Sequence, residues 1–207
     1  MSVVAIVLAA GASTRFGSPK MLAPLDGRPV LQHALDALAA TGIPDVVVVL
    51  GEAAAAVEAS MAWRTERRTV NPRPADGLAS SLRCGLDAAV EVPGTDAVLV
   101  VLGDQPAVSA DVIRAILVAA ADPATGSAPF LRARYAHDPA PNPVLVRRSA
   151  WALAAGLDGD RGLGALLASR PDLVVSVEAP GDNPDIDTPA DLAALARRGT
   201  PTAEARP

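Results

Sequence analysis

The chemistry-bearing residues cluster first between Leu8 and Lys20, in the stretch LAAGASTRFGSPK. Ala9, Ala10, Gly11, Ala12 and Ser13 are small and leave backbone N–H groups accessible to an anion. Arg15 and Lys20 then supply two cations on one short loop. The pattern suggests a bound polyphosphate, wrapped by backbone donors while Arg15 and Lys20 offset its charge. Lys20 is the sole lysine; the other 17 of the 18 basic residues are arginine. A compact point charge on a flexible stem is not interchangeable with a planar fork, so the lysine reads as functional. Two familiar phosphate loops are excluded. Gly11 and Gly17 lack the intervening glycine of G-x-G-x-x-G, and Gly17 is followed by Ser18-Pro19 rather than by the Lys-Ser/Thr of a Walker loop.

Three later stretches add polar chemistry. Gly103-Asp104-Gln105-Pro106 follows an apolar run, and a carboxylate just beyond a buried strand suits a hard metal ion at the carboxyl edge of a sheet. Asp185-Ile186-Asp187-Thr188-Pro189 carries two acids, of which helix capping accounts for one at most. In Asn71–Leu86, Gly77, Ser80 and Ser81 lie where a helix begins. Exposed N–H groups and hydroxyls there can accept an anion or meet a base edge; a plain capping run is the other account of them.

These residues need a scaffold. Ser2–Val7, Asp45–Leu50 and Ala97–Leu102 are apolar runs rich in β-branched residues and read as buried strands. Arg67–Val70, Phe130–Tyr135, Pro143–Arg147 and Leu173–Val177 read as further strands. Val30–Ala40, with Pro29 before it and Gly42 after it, has helical apolar spacing. Ala53–Met61, Ala79–Val90, Ala110–Ala121, Trp151–Leu157 and Gly162–Ser169 read as helices. Thr188 as N-cap, Pro189 at the first position and Asp191 at the third signal a helix over Ala190–Arg197. Strands alternating with helices predict an α/β fold, with the Leu8–Lys20 loop at the carboxyl end of the first strand, where open sheets bind ligands. His33, His137, Cys84 and the arginines at 64, 67, 68 and 73 read as packing or surface residues.

Composition narrows the class. A chain of 207 residues is one domain with a substantial core, here over residues 1–198, with a Pro/Ala/Thr-rich disordered tail at 199–207. Half of the residues are apolar and only 2% aromatic, so Ala, Val and Leu fill that core. The net charge of −5 argues against a nucleic-acid partner. The single cysteine, the lack of a signal segment and the lack of a membrane-length apolar run predict a cytoplasmic protein.

From about Val4 to Leu195 the chain resembles the nucleotidyltransferases that carry LAAGxSxRxGxxK, and the later motifs are similar to those of the molybdenum cofactor cytidylyltransferases. The resemblance implies a Rossmann-like three-layer α/β/α fold with a mixed, mostly parallel sheet. It implies a nucleotide site of Leu8, Ala9, Ala10, Gly11, Arg15, Lys20, Gly77, Ser80 and Ser81. GDQP and D-[IV]-D-T-P imply that Asp104 and Asp187 hold Mg²⁺, so that Lys20, Arg15, Asp104 and Asp187 form the catalytic set. Asn142 and Asp160 fall where the acceptor approaches. The chain departs from the family pattern there: Ala140-Pro141-Asn142 replaces a Gly-rich lead and a His, and Gly164 stands where an Arg is usual, with Arg161 earlier.

The implied reaction is transfer of CMP from CTP to molybdopterin cofactor with release of pyrophosphate, with an apo-molybdoenzyme as the client. The alternatives are a related enzyme using GTP or a sugar or isoprenoid-pathway phosphate acceptor, and a non-catalytic molybdopterin-binding chaperone.

Overall fold

The computed structural model describes residues 1–125, 127–136, 142–160 and 162–199. His137, Ala140, Pro141, Arg161 and the expected tail from 200 onward lie outside the described residues. The elements, in chain order, are β1 (Val3–Ala9), the two-residue strands β2 (Pro24–Leu25) and β3 (Arg28–Pro29), α1 (Val30–Ala39), β4 (Asp45–Leu50), α2 (Ala54–Ser60) and β5 (Arg67–Val70). Then come α3 (Leu78–Val90), β6 (Ala97–Leu102), α4 (Ala110–Ala121), β7 (Phe130–Tyr135), β8 (Val144–Arg147), α5 (Trp151–Ala155), α6 (Leu163–Ser169), β9 (Val174–Ala179) and α7 (Pro189–Gly199).

Seven strands form one sheet in the order β5-β4-β1-β6-β8-β7-β9. Only β8 runs antiparallel to its neighbours β6 and β7; the other pairings are parallel. The central strands are buried on both faces, which is why they read as unbroken apolar runs. Alternate residues of β1 serve different layers. Ala5, Val7 and Ala9 pack with α1 and α4, while Val4, Ile6 and Leu8 pack with α3, α5 and α6. The result is the expected three-layer α/β/α arrangement, with one strand reversed within a mostly parallel sheet.

Element boundaries differ from the sequence reading by one or two residues at most ends. β1 runs on to Ala9, so the loop starts at Ala10 rather than at Leu8. β9 extends to Ala179, and α7 extends to Gly199, one residue into the stretch assigned to the tail. Cys84 is half-buried on α3 and packs against the core. The Nε2 of His33 lies 2.9 Å from the Leu25 carbonyl, and Arg64 pairs with Asp36 while Arg68 lies over the Trp63 ring.

A third, smaller cluster matters for the site. Leu192, Leu195 and Ala196 of α7 pack with Phe16 from the first loop and with Ala23, Leu25 and Val30. The last helix is thereby anchored against the first loop.

The closest approach of a helix to the sheet is at Gly85 on α3. A Cβ there would lie 2.5 Å from Ile6 Cγ2 and 3.2 Å from Val49 Cγ2. Both neighbours are fully buried and have no room to retreat. Gly85→Ala is therefore expected to destabilise the fold by ~1–3 kcal/mol through overpacking, despite the better helix propensity of alanine. Urea denaturation checks this, and an unchanged midpoint would contradict the close packing.

Candidate active site

The first loop leaves β1 at the carboxyl edge of the sheet. Ser13 adopts φ +54° and Gly17 +79°, and the Ser13 carbonyl accepts hydrogen bonds from the Phe16 and Gly17 N–H groups. The Ser13 hydroxyl accepts the Lys20 N–H at 3.1 Å. The loop thus folds back on itself and delivers Lys20 into a short 3₁₀ turn over Lys20–Leu22.

The Lys20 side chain is 9% exposed, and its Nζ lies 2.6 Å from Asp104 Oδ2 and 3.2 Å from Asp187 Oδ1. Arg15 Nη2 reaches the other oxygen of Asp187 at 2.9 Å. Burial by itself would push the Lys20 ammonium pKa down. The attraction and hydrogen bonds of Asp104 and Asp187 outweigh that, and the pKa is raised, so the lysine is charged.

Each acid is placed by a distinct device. Asp104 follows β6 directly, and the Gly103 N–H bonds to the Leu8 carbonyl at 2.9 Å. The Ile186 N–H donates to the Asp104 carbonyl at 2.9 Å. Ile186 itself is fully buried, an anchor worth ~1.5–3 kcal/mol. Thr188 and Asp191 cap α7 reciprocally. The Asp191 carboxylate accepts from the N–H groups of Asp187 and Thr188 and from the Thr188 hydroxyl, while Thr188 Oγ1 accepts the Asp191 N–H. This is a capping box, and it fixes the backbone of Asp187.

Three residues of the site lie outside the sequence-derived set. Gln105 and Asn183 are buried. Gln105 Nε2 donates to Asp185 Oδ1 at 2.8 Å, and Asn183 Nδ2 donates to Gln105 Oε1 at 3.1 Å and to the Asn142 carbonyl at 3.4 Å. Burial raises the Asp185 pKa, and the nearby charge of Asp104 adds to the rise. The surplus acid beside Asp187 was visible in the sequence. Nothing in the sequence marked the amides of Gln105 and Asn183, which lie 78 residues apart.

A cleft of about 630 Å³ opens above these groups. Leu8, Ala10, Gly11, Arg15, Gly77, Ser81, Asp104, Asp160, Asp185 and Asp187 are among its lining residues. Lys20 lies at its edge through its ion pairs. Ala9 is buried in β1, and Asn142 lines an adjoining cavity instead. Ser81 faces the cleft, whereas the Ser80 hydroxyl donates to the Arg73 and Gly77 carbonyls. Asn71 Nδ2 donates to both serine hydroxyls, at 2.7 Å and 3.0 Å.

The cleft is rich in carboxylates, with Asp104, Asp160, Asp185 and Asp187 against Arg15 and Lys20. A polyphosphate entering it meets more negative than positive charge, which favours a cation carried with it. Asp104 and Asp187 already converge on one cationic atom. Among the described residues no group of three or more His, Cys, Asp or Glu side chains is arranged to hold a metal. Two carboxylates plus substrate phosphates suit Mg²⁺, which rarely takes an all-protein cage.

An α/β/α sandwich with a cation-bearing first loop and paired acids at the sheet's carboxyl edge has the architecture of a nucleotidyltransferase. The chain belongs to the family defined by the MobA-like NTP transferase domain, whose model matches residues 5–174. It is 31% identical over 198 residues to nicotine blue oxidoreductase from Paenarthrobacter nicotinovorans, covering 90% of this chain and 92% of that protein. It is 44% identical over 112 residues to the bifunctional protein GlmU of Sinorhizobium fredii, covering 52% of this chain but only 24% of GlmU. Its fold is similar to that of Rv0371c from Mycobacterium tuberculosis, with a TM-score of 0.81 and 30% identity over 95% of this chain and 97% of that one. Rv0371c has also been solved as a complex with manganese. No helix among the described residues is long and apolar enough to cross a membrane.

Gly77 ties α3 to the far wall of the cleft. Its φ is +85°, and a Cβ would lie 2.4 Å from the Gly159 carbonyl carbon. The Ala79 N–H bonds to the Gly159 carbonyl at 3.1 Å. Gly77→Ala is expected to destabilise the protein by ~1–3 kcal/mol through strain and collision. Thermal denaturation measures this; a wild-type Tm would show that the two loops do not dock.

Proposed function

We propose that the chain is a cytidylyltransferase that transfers CMP from CTP to the phosphate of molybdopterin cofactor. The observation that carries the transferase reading is the Lys20 ammonium set between Asp104 and Asp187 beside the LAAG loop. On this reading an acceptor phosphate oxygen attacks the α-phosphorus of CTP. The bond from the α-phosphorus to the bridging oxygen breaks, and pyrophosphate leaves. Such chemistry needs positioning and charge stabilisation rather than a protein nucleophile.

Leu8, Ala10 and Gly11 would line the nucleotide, with Gly77 and Ser81 facing it from α3. Ser80 would act one step back, holding the Arg73–Gly77 turn. Arg15 and Lys20 would bind the triphosphate, and Lys20 would stabilise the departing pyrophosphate. Asp104 and Asp187 would hold Mg²⁺, which supplies bridging of phosphate oxygens and offsets their charge. Asp185, buried and bonded to Gln105, would keep Asp104 and Asp187 in register. Asn142 and Asp160 would meet the acceptor. The choice of CTP and molybdopterin rests on LAAG with GDQP. The acidic composition fits a small-molecule enzyme of the cytoplasm, with an apo-molybdoenzyme as recipient of the product.

A second reading is favoured by one relative's name, nicotine blue oxidoreductase: the cleft would hold a nucleotide redox cofactor. The buried lysine between two carboxylates favours transfer over this. Pyrophosphate release separates the two.

A thermal shift with each nucleoside triphosphate and Mg²⁺ tests the proposal, because a ligand of the folded state raises apparent stability by RT ln(1 + [L]/Kd). CTP is expected to give the largest shift, and Asp104→Asn to abolish it while the variant stays folded. A selective GTP shift would overturn the cytidyl assignment; no shift with any nucleotide would overturn the transferase reading. Lys20→Ala, once shown to fold, is expected to lower kcat by about 10²–10³, as for loss of one transition-state donor. Near-normal turnover would remove Lys20 from the mechanism.

A further inference from the structure

Beside the main cleft lies a second cavity of about 360 Å³. It shares Leu8, Leu78, Leu102 and Asp160 with the cleft, so the two are continuous. It runs from the nucleotide loop towards β6 and β8, away from β4 and β5. Its walls are aliphatic: Leu8 from β1, Val100 and Leu102 from β6, Leu78 and Leu82 from α3, and Leu163 from α6. Asn142 and Asp160 are the polar side chains along it among the described residues.

That lining discriminates among acceptors. A sugar placed here would turn several hydroxyls against leucine and valine side chains, where each loses water and finds no partner. A rigid ring with apolar faces gains from the same surface and surrenders little conformational freedom. The volume lies near the lower end of the range for small-molecule sites, which suits one or two fused rings rather than a long chain. Asn142 and Asp160 can meet polar groups along one edge of such a ring.

We propose that this cavity is a selectivity site for the body of the acceptor, and that it admits a flat aromatic or heteroaromatic ring bearing a phosphate rather than a sugar phosphate. The proposal rests on the transferase reading of the neighbouring cleft. The ring occupies the aliphatic cavity, and its phosphate projects past Leu8 and Leu102 towards Asp104 and Asp187. The aliphatic walls set the acceptor class; the carboxylates and cations of the main cleft are indifferent to it.

The test is a fluorescence titration of the full chain with 1-naphthyl phosphate, followed by competition with glucose 1-phosphate. In parallel, the Mg²⁺·CTP thermal shift is recorded on the same preparation. We expect 1-naphthyl phosphate to bind at least about tenfold more tightly than glucose 1-phosphate. Gly164→Leu, which puts a side chain into the cavity from α6, is expected to weaken 1-naphthyl phosphate at least about tenfold. Ala165→Leu is the second obstructing variant should Gly164→Leu not fold. Equal affinity for the two phosphates, or binding indifferent to the obstruction, overturns the assignment. If the nucleotide shift persists in either of those cases, the transferase reading stands and only the cavity assignment falls. Absence of a shift with every nucleotide, by contrast, removes the transferase reading and with it the proposal.

Discussion

A single ammonium holds three distant parts of the chain in one place. Lys20 comes from the first loop, Asp104 from the end of the sixth strand and Asp187 from the approach to the last helix. None of these charges would be stable alone at that depth, because a buried ion without a partner costs several kcal/mol. The surrounding structure can be understood as the means of keeping the three together. The Ser13 turn delivers Lys20, the Leu8–Gly103 hydrogen bond sets Asp104 beside the loop, and buried Ile186 with the Thr188–Asp191 cap fixes Asp187. The packing of Phe16 against Leu192, Leu195 and Ala196 closes the circuit in apolar terms.

The same cluster explains why a cleft built for an anion contains so many acids. Carboxylates along the floor repel a bare polyphosphate, so entry favours a substrate that brings its own positive charge. Arg15, 72% exposed at the side chain, lies at the outer edge of this arrangement, and Lys20 lies at its buried centre. One basic group is placed to meet a ligand and the other to organise the acids beneath it. That division fits the sequence, in which arginine serves everywhere else and lysine occurs once.

Much of this was legible in the sequence, for identifiable reasons. Asp45–Leu50 and Ala97–Leu102 are buried on both faces, and burial of that kind leaves an unbroken apolar run. Thr188-Pro189-x-Asp191 is a local signal, and the helix it announces forms. Lys20 stood out because it had no counterpart. Other features depend on contacts that no local pattern encodes. The reversal of β8 between β6 and β7 follows from pairing across the sheet. Ser80 and Ser81 look alike in sequence, but the rotation of α3 turns one inward and the other to the cleft. Gln105 and Asn183 resemble ordinary loop amides until the fold places them together. Leu78, Leu82 and Leu102 read as core, and only the shape of the surface shows that they also border a cavity.

The path of the chain through the sheet has a consequence for its biogenesis. β1, β4, β5 and β6 come from the first half of the sequence and form a contiguous parallel block. Half the sheet can therefore assemble while the ribosome is still producing the rest. β7 cannot reach that block until β8 has been made and inserted between them, and Asp187 lies 167 residues after Lys20. Such sequence-distant closure is the slow kind. A nascent chain thus carries a formed phosphate loop well before it carries the acid that completes the ion triad. The working centre is the last thing to come into being, and its completion coincides with docking of the final helix.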